Sequence, residues 1–266
     1  MIFPDKQLAI RLESSLAEDM REYVETFQQL FPDQQTAYQT IGGGIVICMG
    51  SNYLNLAVGM GFDTTISASD FDDLDTFFQQ HHITPSIEIC PFVNPRFLNL
   101  VSQHGYHLLK FTTAYIHTLA DIPFISTDIQ VKPIDDTQRE LWVNTVMDID
   151  AGNTTTDTHL AQAVTHRPHT TCFLATRDDI AVGASALSIR HNIATLYFTS
   201  TRQAYRGHGV QTAMIHARLA YARAQGCELA FATTIPGNNS MRNLLRAGFQ
   251  VAYTRYMMGK DSAYLG

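Results

Sequence analysis

The sequence predicts an α/β protein of the α+β kind, in which a mixed, mostly antiparallel sheet is flanked by helices. Two observations lead to this prediction. Apolar runs with helical spacing alternate along the chain with short β-rich runs, and three consecutive strand-like runs between residues 171 and 199 are joined by short turns. The 266 residues are enough for one large domain or for two of ordinary size.

The first half of the chain predicts one long helix followed by alternating strands and helices. Apolar residues recur at helical spacing from Leu12 to Leu30, and this helix is expected to end near Pro32. The glycines at 42–44 precede a strand, so they predict a turn rather than an anion-binding loop. The other elements expected are strands at 44–49 and 54–58, a helix at 67–81, a strand at 86–90, a helix at 95–101 and a strand at 108–119.

The segment 120–127 predicts a domain boundary, because Asp121, Pro123 and Ser126 lie in it between two strand-like runs. We therefore expect one domain at 1–127 and a second at 128–266. The elements expected in the second are a strand at 129–133, a helix at 136–147, a polar loop at 152–158, strands at 171–176, 180–190 and 193–199, a helix at 210–225, a strand at 229–234, a helix at 239–246 and a strand at 250–258.

The composition argues against several classes of protein. The formal net charge of -7 and the scattered arginines disfavour a nucleic-acid partner. The chain lacks the basic and apolar regions of a signal peptide and any apolar run near the roughly 18 residues of a membrane span, so we expect a cytoplasmic protein with no membrane partner. The cysteines are widely spaced and the histidines lack partners at metal-ligand spacing, so no disulfide framework and no metal site are expected.

A glycine-containing loop at 206–212 joins a predicted strand to the most regular predicted helix. Glycines let a ligand approach the backbone, and the first helical turn leaves N–H groups unpaired, so the loop is typical of an anion site. A Walker loop is disfavoured because no Gly-Lys-Ser/Thr follows. A dinucleotide loop is disfavoured because Thr212 stands where glycine is needed and Glu228 opens the next strand instead of closing it. We expect a pyrophosphate ligand, with Arg206 as an additional contact.

Two motifs in the second half resemble those of the GNAT N-acetyltransferases. The Arg-Gly-His-Gly run at 206–209 resembles the family's Arg/Gln-x-x-Gly-x-Gly/Ala loop, and the polar run at 236–243, followed by Ala-Gly-Phe at 247–249, resembles its second signature. This resemblance covers about residues 129–260 and implies a catalytic, acetyl-CoA-binding GNAT domain. In the first half, a helix at 94–101 followed by Gly-Tyr resembles the same ending without the loop, which implies a degenerate GNAT-like copy and two units in tandem.

The resemblance also implies a set of CoA-binding residues. The loop amides would hold the pyrophosphate, main-chain groups of β-strand residues would face the thioester and pantetheine, and the start of the helix at 239–246 would line the other side. Two positions depart from the family pattern, because Gln211 stands in place of Gly or Ala and Leu244 in place of a proton-donating Tyr. The implied CoA-binding residues are Phe198, Thr199, Thr201, Arg206, Gly207, His208, Gly209, Val210, Gln211, Thr212, Asn239, Ser240 and Asn243.

The expected function is transfer of an acetyl or other acyl group from acetyl-CoA to a primary amine of a small molecule or peptide. Such a reaction needs an oxyanion donor and a base. A strand amide near Thr199 is the expected donor, and Tyr253 is the candidate proton donor to the leaving sulfur. The candidate bases, none of them preferred, are Glu228, Asp148, Asp150 and His169.

Two alternatives and one further question stay open at the level of sequence. Because Leu244 replaces the family's Tyr, the chain could bind acyl-CoA without turnover, as a sensor or scaffold. A less favoured alternative keeps the phosphate loop but assigns another nucleotide, NAD or ATP. The N-terminal half would shape either the acceptor site or a homodimer.

Overall fold

The computed structural model describes residues 2–50, 54–63, 65–147 and 154–260. The chain divides into two compact units, of which the first consists of Met1–Ala114 together with the chain from Ala252 onward, and the second of Tyr115–Val251. The division falls inside a strand, ahead of the boundary expected at 127, and most of the last strand belongs to the first unit. The assignment of 1–127 as a degenerate domain and 128–266 as a catalytic one stays a prediction.

The first unit contains a six-stranded sheet in the order β1-β2-β3-β4-β11-β5. Strands β1 and β2 form a hairpin through Gly42 and Gly43, both with positive φ, so the expected turn is confirmed. The elements are α1 (Lys6–Leu30), β1 (Ala37–Ile41), β2 (Gly44–Cys48), β3 (Leu56–Val58), α2 (Ala68–Gln80), β4 (Ser86–Ile89), α3 (Pro95–Gln103), the start of β5 (His107–His117) and most of β11 (Gln250–Gly259).

Buried charges fix the last strand in the first unit. Arg255 of β11 is 1% exposed and forms ion pairs with Glu13 of α1 at 2.7 Å and with Glu88 of β4 at 2.9 Å. Thr112 of β5 also donates a hydrogen bond to Glu88, at 2.5 Å. A buried cation is tolerated only where anions and hydrogen bonds compensate it, so β11 is held at this position in the sheet.

The second unit contains a five-stranded sheet in the order β10-β9-β8-β7-β6. All its neighbouring strands are antiparallel except β9 and β10, which are parallel. Apolar side chains of α6 and α7 pack on this sheet, among them Ile215, Leu219 and Leu244. The elements are β6 (Gln130–Pro133), α4 (Arg139–Met147), α5 (Thr155–Val164), β7 (Thr170–Arg177), β8 (Ile180–Arg190), β9 (Ile193–Thr201), α6 (Val210–Ala224), β10 (Leu229–Thr234) and α7 (Asn239–Arg246).

The fold class predicted from the sequence is confirmed, but two elements were missed. Strand β1 has three consecutive exposed residues, so it shows no period-two pattern. Helix α5 replaces most of the polar loop expected at 152–158, of which 152 and 153 lie outside the described residues. A capping box formed by Thr154 and Asp157 starts α5, and Leu160, Ala161, Ala163 and Val164 are buried beneath it. None of the described helices is both long and apolar enough to span a membrane.

Candidate acyl-CoA site

A β-bulge interrupts the pairing of β8 with β9. The register shifts between Ala184 and Ala186 of β8. As a result, two residues of β9, Phe198 and Thr199, lie opposite a single residue of β8. Phe198 has a φ of 48°, in the left-handed region that non-glycine residues seldom adopt. The extra residue of a bulge is left outside the regular ladder, so the backbone of β9 is locally distorted at Phe198 and Thr199.

Side chains from two helices bind the carbonyl groups around the bulge. Trp142 of α4, which is fully buried, donates its indole N–H to the carbonyl of Ser185 at 3.1 Å. Arg218 of α6, also fully buried, donates from Nη1 to the carbonyls of Ala186 at 3.0 Å and Tyr197 at 3.3 Å. Buried carbonyls that leave a strand ladder need other donors, so these two side chains hold the bulge in place.

A cleft opens where β9 and β10 stop pairing. Their parallel pairing joins Ile193–Thr195 to Leu229–Phe231. Immediately beyond it lies a cavity of about 150 Å³, whose walls come from both strands and from the facing sides of α6 and α7. The bulge residues Phe198 and Thr199 are part of this wall. The cleft therefore presents the distorted backbone of β9 to any group that enters between the strands.

The loop that follows β9 ends in an uncapped helix start. Gly207 and Gly209 have φ values of 81° and 82°, which glycine adopts without strain, and a Cβ at either position would meet nothing within 4 Å. Gly209 is the N-cap of α6 and offers no side chain to the N–H groups of the first turn. These N–H groups and the helix dipole therefore favour an anion in the open space before α6.

A glycine of β8 brings this helix start close to the sheet. A Cβ at Gly183 of β8 would lie 2.8 Å from Cγ1 of Val210 and 2.9 Å from the carbonyl oxygen of Ser200. Any larger residue would collide with backbone that cannot move aside, so Gly183 sets how closely the first turn of α6 approaches β8.

A cavity of about 480 Å³ lies in front of the loop and between α6 and α7. Three exposed arginines, Arg206, Arg242 and Arg246, line it, and its lining among the described residues contains no acidic side chain. The site is thus locally cationic, although the chain carries a net charge of -7. The lining residues are Thr199, Ser200, Thr201, Tyr205, Arg206, Gly207, Gly209, Val210, Gln211, Thr212, Asn239, Arg242, Asn243 and Arg246.

Gln211 stands between the two cavities and lines both. Its amide nitrogen donates to Ser240 Oγ at 2.7 Å, and its amide oxygen accepts from the side-chain nitrogen of Asn243 at 2.7 Å. The side chain thus bridges α6 to α7 beside both cavities. A Gly or Ala at this position could not form such a bridge.

The structure brings together most of the residues that the sequence singled out. Ten of the thirteen expected CoA-binding residues line the large cavity, and Phe198 and Ser240 line the cleft. His208 belongs to the loop, but its exposed side chain is not part of either lining. The role of all thirteen in binding CoA stays a prediction.

Four lining residues were not expected from the sequence alone. Ser200 and Tyr205 complete the wall at the end of β9 and in the turn that follows it. Arg242 and Arg246 could have been found, because they lie four residues apart on the predicted helix at 239–246 and so share a face. Arg218 was also detectable, as a charged residue four positions after Met214 on an otherwise apolar helix face.

Tyr253, the candidate proton donor, is hydrogen-bonded to a buried carboxylate. It belongs to the first unit, is 5% exposed, and donates its hydroxyl to Glu13 at 2.8 Å. Burial, followed by the charge of Glu13, raises the pKa of this hydroxyl far above its usual range. The hydroxyl therefore already donates to a buried carboxylate. Its role as proton donor to the leaving sulfur stays a prediction that this hydrogen bond does not support.

The structure describes two of the four candidate bases, Glu228 and His169. Glu228 precedes β10, at the end of the paired segment opposite to the cleft, and its N–H donates to Asn192 at 2.8 Å. Glu228 lies four positions before Ala232 of the cleft wall, which corresponds to about 13 Å along the strand. His169 is exposed just before β7. Asp148 and Asp150 lie outside the described residues.

A comparison with protein families gives a match in the second half of the chain. Residues 135–249 match the model of the acetyltransferase (GNAT) family. This range holds the bulge, the loop and both cavities. A comparison with curated proteins finds no match.

Solved structures resemble the chain over nearly its whole length. A GCN5-related N-acetyltransferase from Kribbella flavida superposes with a TM-score of 0.64 at 14% identity, and the match covers 94% of this chain and 96% of that one. A tandem GNAT protein from the clavulanic acid biosynthesis pathway superposes with a TM-score of 0.58 at 14% identity, over 91% of this chain and 94% of that one. At this identity the likeness concerns the fold, and it confirms the tandem arrangement of two GNAT-like units.

Proposed function

We propose that this chain transfers an acyl group, expected to be acetyl, from acetyl-CoA to a primary amine. The match of residues 135–249 to the acetyltransferase (GNAT) family, whose members are generally acyltransferases, supports this proposal. The main support is one arrangement: an arginine-lined cavity at an uncapped helix start adjoins a cleft walled by a β-bulge. The arginine-lined cavity suits the phosphates of CoA, and the cleft suits its thioester.

The free helix start and the arginines would hold the phosphates. The pyrophosphate would accept from the first N–H groups of α6, in the space that Gly207 and Gly209 leave open. Arg206 lies at the same loop, while Arg242 and Arg246 stand across the cavity on α7. Guanidinium groups bind phosphate with paired, charge-assisted hydrogen bonds, so this lining fits the ligand chemically.

The cleft would orient and polarise the reacting carbonyl. CoA supplies an acyl thioester, whose carbonyl oxygen gains negative charge when an amine attacks. A preorganised N–H at the bulge of Phe198 and Thr199 would stabilise that charge, because it is fixed by the fold and needs no rearrangement. The chain would thus act mainly by binding and by electrostatic stabilisation at the bulge.

A second candidate function is binding of acyl-CoA without turnover. One observation favours it: Leu244, which is 5% exposed in the cleft wall, provides no proton. A chain of this kind would act as a sensor or scaffold. Release of CoA thiol in the presence of amines distinguishes the two functions.

The first experiment measures thermal stabilisation by CoA, acetyl-CoA, NAD and ATP. A ligand at about 100 times its dissociation constant adds roughly 2.7 kcal/mol to the free energy of unfolding, which raises Tm by roughly 5 to 10 °C. We expect this shift with CoA and acetyl-CoA only. Gly209→Trp should abolish it, because the side chain fills the space before α6.

Gly226→Trp is the matched control. Gly226 has a similar φ of 76° and equally open surroundings, but it lies beyond the far end of α6. This variant should retain the CoA shift, so any difference between the two variants reports the phosphate site rather than backbone strain. A folded wild-type protein that gains stability from NAD or ATP but not from CoA would refute the proposed function.

A further inference from the structure

The guanidinium of Arg218 is buried without a counter-charge. The residue is 1% exposed, and its partners are the carbonyls of Met214, Ala186 and Tyr197. These three bonds use the hydrogens of Nε and Nη1. Among the described residues nothing accepts from Nη2 and no carboxylate pairs with Arg218.

An unpaired buried cation is costly, so its presence calls for an explanation. Burial alone lowers the pKa of Arg218 to about 9, with no opposing charge nearby. A buried cation is usually neutralised by nearby carboxylates, as Glu13 and Glu88 neutralise Arg255 in the first unit. Holding the bulge carbonyls needs hydrogen-bond donors but not a full charge. The charge of Arg218 is therefore not accounted for by its protein contacts.

The position of Arg218 connects this charge to the acyl end of the cleft. Arg218 lines the cavity of about 150 Å³, whose wall includes the bulge residues Phe198 and Thr199. Its bond to the carbonyl of Tyr197 places the guanidinium one residue from the bulge. A cavity of this volume can hold about six carbon atoms, as the binding of benzene to an engineered cavity illustrates. A short acyl chain with an anionic end fits both the size and the charge.

We propose that the cleft receives an acyl group that ends in a carboxylate, so that the preferred donor is the CoA thioester of a short dicarboxylic acid. This inference rests on the proposed function and narrows it. The carboxylate would accept from Arg218, while the thioester carbonyl at the other end of the acyl chain accepts from the bulge N–H. Acetyl-CoA would then bind as a smaller and weaker donor.

The transfer itself is an ordinary acyl exchange. The amine nitrogen forms a bond to the thioester carbon, and the carbon–sulfur bond breaks. The proton lost by nitrogen ends on the sulfur of CoA. The distal carboxylate takes no part in these steps, so Arg218 would act on selection and positioning of the donor and not on the reacting atoms.

The test compares donors of equal chain length on the wild-type protein. Dissociation constants are measured by calorimetry for malonyl-CoA against propionyl-CoA, for succinyl-CoA against butyryl-CoA, and for malonyl-CoA against its methyl ester. We expect the free carboxylate to tighten binding roughly tenfold or more in at least one pair, the effect of a charge-assisted hydrogen bond. Equal affinities within every pair would overturn the inference.

Variants of Arg218 assign the preference to this side chain. Arg218→Met should bring the affinities of each pair to within about twofold; because the two donors of a pair are compared on the same variant, any general change in CoA binding cancels. Arg218→Lys should keep part of the preference, because it keeps the charge but not the paired geometry. A preference that survives in a folded Arg218→Met protein would contradict the inference.

The outcomes separate this inference from the proposed function. If no CoA compound binds to the folded wild-type protein, the proposed function fails and the inference with it. If CoA and neutral acyl-CoAs bind while carboxylates confer no advantage, only the inference fails. The comparison of donor pairs on the wild-type protein tests the preference for a carboxylate even if Arg218→Met does not fold.

Discussion

Gln211 shows how a single side chain can govern access to a site. Its side chain lines both cavities, and its two hydrogen bonds, to Ser240 and Asn243, join α6 to α7 beside them. Under the proposed function, the phosphates and the thioester of CoA occupy the two cavities, so the pantetheine arm passes Gln211 between them. Binding of CoA would then require the bridge to open, and the free energy of both bonds would oppose it.

The first prediction concerns this bridge. Gln211→Ala should lower the dissociation constant for CoA by roughly threefold to thirtyfold, because the ligand no longer breaks two hydrogen bonds worth about 1 kcal/mol each. Calorimetry with CoA measures the change. Gln225→Ala, an exposed Gln at the far end of the same helix, is the matched control and should have no effect. Weaker binding by Gln211→Ala would mean that Gln211 contacts CoA directly.

At the scale of elements, α7 contributes a charged face to the site. Arg242 and Arg246 are one turn apart and line the large cavity opposite the loop, where Arg206 lies. CoA carries a 3′-phosphate in addition to its pyrophosphate. If the pyrophosphate occupies the start of α6, the two arginines of α7 are available for the 3′-phosphate. Each helix would then bind a different phosphate group of CoA.

The second prediction tests whether α7 binds the 3′-phosphate. Wild-type protein should bind CoA more tightly than dephospho-CoA, and the double variant Arg242→Gln, Arg246→Gln should lose most of this difference. Because both arginines are exposed, the loss should be about tenfold at low salt and smaller as salt is added. Arg223→Gln, in the last turn of α6, is the control. An unchanged ratio of the two dissociation constants would exclude α7 from phosphate recognition.

Two histidines connect the stability of the second unit to pH. His117 is 4% exposed, accepts from the N–H of Leu119 at 2.9 Å through Nδ1, and packs against Phe249. Burial, then the neighbouring His216, lowers its pKa, and burial also lowers the pKa of His216. Both imidazoles are therefore held neutral by the folded protein.

The third prediction concerns the whole molecule and follows from this linkage. A histidine whose pKa is lower in the folded state stabilises the protein fully above its unfolded pKa of about 6.5, and this contribution is lost as the pH falls toward the folded pKa. The urea concentration at the midpoint of unfolding should therefore decrease as the pH is lowered from about 7 to about 5. His117→Gln should reduce the slope of this decrease, whereas replacement of the exposed His191 should not. If the urea midpoint of His117→Gln depended on pH as steeply as that of the wild type, the pH dependence could not be attributed to His117.

The elements that the sequence revealed are those whose local signals agree with their surroundings. Helix α6 has a regular apolar face and a glycine after its end, and its start at Val210 was predicted correctly. Strand β1 and helix α5 were missed for opposite reasons. Strand β1 lacks alternation because it is mostly exposed, while the capping box of α5 is short and sits in a polar segment.

The sequence by itself determined the fold class, the tandem arrangement and the residues of the loop, because these depend on local periodicity, on glycine positions and on contiguous motifs. Only the tertiary structure decided the bulge at Phe198, the bridge made by Gln211, the buried charge of Arg218 and the engagement of Tyr253 with Glu13. The physical reason is common to all four. Each depends on a partner that lies between thirteen and 240 residues away along the chain, and no local pattern reports what the folded chain will place beside a side chain.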